Sequence, residues 1–304
     1  MLMRLKGKRR WILAAIGLTG AILAAIAFWF EPRSLVVSEF EVTTSGWPAD
    51  TAPLRVVLIS DVHVDGVHMP PDRIRRIAER VRALNPDVIL LAGDYVGGHG
   101  LQAGPPKAAR ALRSAHDNEL HEEGLAALGD FGAPLGVYAV MGNHDCWWDC
   151  DRVREILSKT RIQFLENRAV KIPRANGDVW IVGIEDGQTQ NPDFQLASAH
   201  VPKGAATIAL AHNPGLFDWD SNHMPLQLSG HSHAGQVRFP LIGAPVRITR
   251  HTEDTADGWT SKGERLLIVT RGLGESGLPV RFGAAPQIML LTIRPGKTST
   301  VKPS

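Results

Sequence analysis

The sequence predicts an α/β protein built around a largely buried sheet. Three observations lead there. Short runs of apolar, β-branched residues recur along the chain: Leu54–Ser60, Val88–Ala92, Gly136–Met141, Thr207–Ala211 and Leu226–Ser229. They are near-continuous rather than alternating, the pattern of strands covered on both faces. Stretches of helical period separate some of them, notably Asp72–Leu84, where Ile74, Ile77, Ala78, Val81 and Leu84 share one face. Each run is followed by Asp, Asn or His, and the carboxyl ends of strands are where open α/β sheets assemble their sites.

The elements follow in chain order. Residues 1–10 form a basic amino terminus with Arg4, Lys6, Lys8, Arg9 and Arg10 and no acid. Residues 11–30 carry no charge over 20 positions. About twenty apolar residues cross a bilayer core, and this run exceeds the usual signal-peptide core of about 15. Trp11, Phe28, Trp29 and Phe30 stand at its edges as an aromatic belt. The segment reads as a transmembrane anchor or uncleaved signal. Positive residues ahead of it predict a cytoplasmic amino terminus, with the remainder on the periplasmic or extracytoplasmic side of a bacterial inner membrane. Arg9-Arg10 also resembles a twin-arginine export signal, without the usual Ser or Thr before the pair.

Residues 31–53 read as a linker with an opening strand over Leu35–Phe40. Residues 54–304 read as one domain, since about 270 residues after the anchor suit a single large α/β unit. Gly97–Pro106 breaks regular structure and Lys107–Asp130 reads as helical. His99, His116 and His121 in this insertion read as surface residues first and as substrate-loop residues second. Asp151–Lys159 is expected to be a helix with Val153, Ile156 and Leu157 inward, and Val179–Ile184, Leu266–Thr270 and Ile288–Ile293 to be strands.

Charge excludes one class of partner. The chain has 33 basic and 31 acidic residues, and five of the basic ones precede the anchor, so the remainder is slightly acidic. It has no net pull on nucleic acid. Arg73, Arg75, Arg76, Arg80 and Arg82 crowd one helix and read as a solvated face. The two cysteines, Cys146 and Cys150, are four apart. Helical spacing puts their α-carbons about 6 Å apart, within bridging range, so a disulfide and two thiols both stay open. Trp147 and Trp148 wall a pocket or pack beneath a loop.

Five blocks then read as coordination chemistry: Asp61-Val62-His63, Gly93-Asp94, Gly142-Asn143-His144-Asp145, His212, and Gly230-His231-Ser232-His233. Asp, His and Asn ligate hard-to-borderline divalent metals. Asp61 and His63 are two apart, as are His231 and His233, so an extended segment points each pair to one side. Gly93, Gly142 and Gly230 leave room for close backbone approach.

In this order the blocks resemble the calcineurin-like metallophosphoesterase superfamily, from about Leu54 to the end. The resemblance implies a four-layer α/β/β/α sandwich with a dinuclear metal centre. It implies that Asp61, His63 and His233 hold one ion, that Asn143, His212 and His231 hold a second, and that Asp94 bridges them. It implies that His144 faces the substrate. Two ions about 3.5–4 Å apart activate a water and bind phosphoryl oxygens, and His144 would act as general acid. Asp145 either orients His144 or caps the following segment. Mn, Fe, Zn and Co all suit the mixed N/O ligand set.

Protein phosphatases of the superfamily carry Gly-Asp-x-Val-Asp-Arg-Gly, whereas Gly98 stands here at the arginine position. The tail, with Arg271-Gly272-Leu273-Gly274 and Pro279-Val280-Arg281-Phe282, is more similar to bacterial membrane-associated phosphodiesterases. Arg271 and Arg281 are candidate phosphate contacts; the alternative is a Gly-rich turn packed near the site. The expected function is a phosphodiesterase acting on a membrane, wall or nucleotide phosphodiester. The alternatives are a UDP-2,3-diacylglucosamine pyrophosphatase-like hydrolase, for which an exported domain is badly placed, and a metal-stabilised module without turnover.

Overall fold

The apolar helix α1 (Leu2–Ala25) continues into a π-helical turn (Ile26–Phe30) and a 3-10 turn (Glu31–Arg33). Over Arg9–Arg33 it is long and apolar enough to cross a membrane, and its most apolar 18-residue window has no buried residue. The computed structural model describes residues 2–97, 115–220, 224–245 and 257–304. The expected loop at Gly97–Pro106 from residue 98 on, His99, and the expected helix before residue 115 lie outside them.

Two sheets follow. Strands β1 (Val36–Thr44), β2 (Leu54–Ile59), β3 (Val88–Leu91), β4 (Val137–Ala139) and β5 (Ile162–Phe164) join β12 (Gln287–Pro295) and β13 (Thr300–Pro303) in the order β13-β1-β12-β2-β3-β4-β5. From β2 to β5 this sheet is parallel, and β12 runs antiparallel to β2. The second sheet has the order β10-β11-β9-β8-β7-β6, from β6 (Arg168–Ile172), β7 (Val179–Ile184), β8 (Ala206–Ala211), β9 (Leu226–Ser229), β10 (Gly258–Lys262) and β11 (Arg265–Val269). Its four inner strands are parallel and its two edges antiparallel.

The near-continuous apolar runs have a direct cause. In β2, Leu54, Val56 and Leu58 face the other sheet, and Val57 and Ile59 face the helices. In β3, Val88 and Leu90 point inward and Ile89 and Leu91 outward. Both faces are buried, so neither set of alternate positions is polar. The outward face packs on α2 (Pro71–Ala83) through Ile74, Ile77 and Val81, on α3 (Ala115–Leu128) through Leu125 and Leu128, and on α4 (Asn143–Leu157) through Val153 and Leu157.

The result is the four-layer α/β/β/α sandwich, with a thin fourth layer. Among the described residues, the four-residue helix α5 (Phe194–Ala197) and the 3-10 turn Pro214–Asp218 lie against the outer face of the second sheet, through Phe194, Ala197, Leu216 and Phe217.

Several expectations are corrected. The helix expected from Asp151 is present, but a further helical segment from Asn143, inside a ligand block, runs into it to make the single element α4. It bends where Asp149 leaves helical geometry (φ −173°, ψ 99°), and across that bend Cys146 and Cys150 form a disulfide with α-carbons 4.2 Å apart. That separation is well below the helical value because the intervening turn is not helical. His121 is buried rather than on the surface, with its ring 5.4 Å from that of Trp148. Strands β5, β6, β10 and β13 carry no strong apolar run, and all four are edge strands. Edge strands need only one neighbour, and polar residues suit their exposed side.

Candidate metal centre

The five blocks converge at the carboxyl ends of strands from both sheets. Asp61 and His63 follow β2, Asp94 follows β3, Asn143 opens α4 after β4, His212 follows β8, and His231 and His233 follow β9. Backbone hydrogen bonds set the loops against one another. The amides of Asp61 and His63 donate to the carbonyls of Gly93 (2.9 Å) and Asp94 (3.1 Å), and that of Gly230 donates to His212 (3.1 Å). His212 crosses between sheets, its Nδ1 donating to the Ala92 carbonyl at 2.7 Å. That bond leaves Nε2 of the neutral ring free to act as a ligand.

The backbone here differs from the expected extended geometry. Asp61 (φ 52°), His63 (φ 44°), Asp94 (φ 55°), His231 (φ 71°) and His233 (φ 51°) all adopt left-handed conformations. Each costs about 1–2 kcal/mol relative to ordinary backbone. Such concentration of strain marks a functional site held by its surroundings. Two glycines permit the approach. A Cβ on Gly142 would collide with the Asp94 carboxylate, and one on Gly230 with Ser60 and Asp61.

The donor atoms form a contiguous set. His63 Nε2 lies 3.0 Å from His233 Nε2, which is 3.3 Å from Asp61 Oδ1. Asp94 Oδ2 lies 3.6 Å from His63 Nε2 and 3.2 Å from His212 Nε2. His212 Nε2 is in turn 3.2 Å from Asn143 Oδ1 and 3.0 Å from His231 Nδ1. Asp94 thus stands between the two halves. Three groupings have ligand atoms mutually within 4.8 Å: Asp61–His63–His233, His63–Asp94–His144 and Asp94–His212–His231.

This set fits divalent cations. Imidazole nitrogens facing one another at contact make at best one hydrogen bond per pair, a poor arrangement for buried polar groups. Ligands about 2.1 Å from a shared ion stand about 3.0–3.4 Å apart at octahedral or tetrahedral angles, close to the separations here.

Of the nine expected site residues only His144 is half-buried; the other eight are buried. Its amide donates to Asp94 Oδ1 at 2.8 Å, and its ring meets the edge of His63 at 4.7 Å. Its Nε2 is 3.3 Å from Ser276 Oγ, and the Trp147 ring lies 4.7 Å away. Trp147 therefore sits beside the site, whereas Trp148 is buried with its indole N–H on Asn118 (2.9 Å).

Asp145 is engaged with backbone. Oδ2 accepts from the amides of Asp94 and Gly142, each at 2.9 Å, and Oδ1 from those of Tyr95 (2.8 Å) and Val96 (3.2 Å). Its bond to Gly142, the residue before α4, is one half of a capping box. Between the two expected roles, these contacts match the capping one. They also hold the Asp94 loop against the start of α4.

Electrostatics follow from packing these groups without water. Burial pulls His212 down, but Asp94, by charge and hydrogen bond, outweighs it with help from Asp61 and Asp186, raising it to about 10. Burial and the His212 charge lower His231 to about 3. Burial also holds His63 and His233 well below the ordinary imidazole range. Asp61 is raised to about 6 by burial and Asp145 to about 7 by burial and the Asp94 charge. Asp94 opposes its own burial through His212 and His144 and stays well below the carboxylate range. In the metal-free site Asp94 and His212 therefore favour each other's charged form.

Arg281 is not free to grip phosphate. It is wholly buried, 3.4 Å from Glu275, and donates to the carbonyls of Ala284 (2.6 Å), Arg271 (3.1 Å) and Gly274. It holds the turn whose Gly274 amide donates to Asp61 (2.7 Å). Arg271 is paired with Asp257 at 2.6 Å. Two residues that the sequence did not mark also reach the cluster: Ser276, and Gln188, whose Nε2 is 3.2 Å from His231 Nε2. Neither has a signal of its own, since a lone Gln or Ser in a loop carries no spacing.

A two-sheet sandwich with a buried Asp/His/Asn cluster at its strand ends defines a phosphoester hydrolase of the metal-dependent class. Residues 54–235 match the calcineurin-like phosphoesterase family, and the chain belongs to it. It is 25% identical over 285 residues to the "Uncharacterized metallophosphoesterase YkuE" of Bacillus subtilis, covering 93% of each chain. It is 28% identical over 260 residues to the "Phosphodiesterase YaeI" of Escherichia coli, covering 80% of this chain and 83% of that one. It is also 28% identical over 310 residues to a "Transmembrane protein with metallophosphoesterase domain" of Danio rerio, covering 94% of this chain and 63% of the other. Its amino-terminal helix is long and apolar enough to cross a membrane, and the Danio rerio relative is named as a transmembrane protein.

Proposed function

We propose that this protein is a phosphodiesterase with two divalent ions, its site facing the extracytoplasmic side of the membrane. Asp61, His63 and His233 hold one ion, Asn143, His212 and His231 the other, and Asp94 both. Mn, Fe, Zn and Co remain the candidates. One observation carries the reading: six buried donors meet around Asp94 while His144 alone is half-exposed beside them. The ions, when bound, supply Lewis acidity toward the phosphoryl oxygens and a water activated near neutral pH.

The chain's own residues do the rest. The His231 amide, 3.0 and 2.9 Å from the two Asp61 oxygens, fixes that carboxylate, and Ala92 fixes the His212 ring. His144 donates the proton that the leaving oxygen needs, with Ser276 orienting its Nε2. Asp145 keeps Asp94 and His144 in register. The basic cluster before residue 11 supports the outward placement.

The test is hydrolysis of bis-p-nitrophenyl phosphate beside p-nitrophenyl phosphate, with Mn²⁺ and after chelation. Chelator-sensitive turnover favouring the diester is expected. A preference for the monoester would overturn the diesterase reading, and no turnover with any of the four metals would support a module without catalysis.

A further inference from the structure

A second site-like feature lies where the apolar helix meets the domain. A cavity of about 430 Å³ is lined by four guanidinium groups, those of Arg33, Arg73, Arg76 and Arg80, with Leu35 and Ile77 among its apolar walls. No carboxylate lines it, and it shares no residue with the metal cluster. Arg73, Arg76 and Arg80 are spaced three and four apart on α2, so one stripe of the helix presents all three.

Their charges are largely uncommitted. Arg75, one residue away, is paired with Asp72 at 2.7 Å. Among the described residues neither Arg76 nor Arg80 has an ion-pair partner. Arg73 donates through Nη1 to the His68 carbonyl at 2.7 Å, while its Nη2 is buried without a hydrogen-bond partner. The nearby Glu275 is already engaged, 3.1 Å from His68 and 3.4 Å from Arg281. An unpaired buried guanidinium nitrogen is costly, and an anion relieves that cost.

The depth of the cavity is set by the anchor. His68 Nε2 donates to the Phe28 carbonyl at 3.0 Å, and Arg33 donates to Trp29 (3.0 Å) and Val67 (3.1 Å). The Arg33 guanidinium also sits 3.7 Å over the Trp29 ring. Phe28, Trp29 and Phe30 are exposed, as residues at a bilayer interface would be. The wall of the cavity is therefore fixed to the last turn of the span, at headgroup level.

We propose that this cavity binds the phosphate group of an anionic lipid from the leaflet that the Phe30 end of the helix reaches. Arginine forks match phosphate oxygens two at a time. Leu35 and Ile77 meet the glycerol and first methylenes, and the anionic headgroup draws the basic rim to the surface. The proposal rests on residues 11–30 spanning the membrane and is independent of the metal chemistry.

The test uses the full chain in detergent, titrated with phosphatidylglycerol or phosphatidylcholine, with bound lipid counted by native mass spectrometry. The wild type should retain one phosphatidylglycerol where phosphatidylcholine is not retained. The Arg76→Ala/Arg80→Ala variant should weaken that retention about tenfold or more. Arg75→Ala should not, and an unchanged thermal unfolding midpoint in both variants confirms folding. Equal retention by wild type and double variant, or of the two lipids, overturns the proposal. Displacement of phosphatidylglycerol by equimolar inorganic phosphate overturns the lipid source in favour of a free anion. Release of the chain from membranes by carbonate overturns the lipid source as well, by removing the span.

Discussion

Replacing Asp145 with asparagine separates a structural role from a catalytic one. Each carboxylate oxygen accepts two backbone amides: Asp94 and Gly142 on Oδ2, Tyr95 and Val96 on Oδ1. An asparagine keeps one oxygen and turns an NH2 toward the other two donors. Two buried N–H groups then lose their acceptor, at about 1–3 kcal/mol each, or about 2–6 kcal/mol together. A typical domain has only about 5–15 kcal/mol in total. The Asp94 loop and the start of α4 lose their shared anchor, so metal affinity should fall with stability. The assay is urea unfolding followed by tryptophan fluorescence, with chelator and with Mn²⁺, beside metal content and turnover. A large drop in midpoint in chelator is expected for Asp145→Asn. A midpoint unchanged within about 0.5 kcal/mol, with metal retained and turnover lost, would refute this reasoning and make Asp145 a positioning residue for His144.

Three further outcomes follow from the site. His144→Ala should keep metal content near normal and reduce turnover about 10²–10⁴-fold, the usual range for a lost general acid; loss of metal would show that His144 is a ligand. Asp94→Asn should weaken both ions together, and an unchanged metal stoichiometry would remove its bridging role. Without metal, His212 is raised to about 10 and so is protonated at pH 7.5. Its contribution to metal-free stability is full below its ordinary value and is lost as pH rises through about 10. A ligand must be deprotonated, so Mn²⁺ loading at pH 7.5 should release about one proton, read by calorimetry in two buffers of different ionisation enthalpy. Release of no proton, or uptake of one, would contradict the assignment of His212.

Much of the fold was legible because it rests on local periodicity. Strands such as β2 and β3 are buried on both faces and declare themselves by unbroken apolar runs. The helix α2 shows its stripe of Ile74, Ile77 and Val81. Edge strands β6, β10 and β13 were silent because one neighbour and an exposed face impose no pattern. The start of α4 was hidden because Asn143, His144 and Asp145 read as a site block rather than as a helix, while the anchoring of Asp145 to the Asp94 loop is a contact across some fifty residues. Arg281 looked like a phosphate contact by its place in the tail, yet Glu275 and three carbonyls enclose it.

The chain by itself determined the identities and order of the Asp, His and Asn donors, the layer type and the apolar amino-terminal helix, because donor chemistry and hydrophobic period are properties of residues. Only the tertiary structure decided the left-handed backbone that aims Asp61, His63, Asp94, His231 and His233. It alone made Asp145 a cap, and it alone drew Arg33 from the anchor and three arginines of α2 around one cavity. Those outcomes depend on which distant groups meet once both sheets are packed, and no local spacing encodes them.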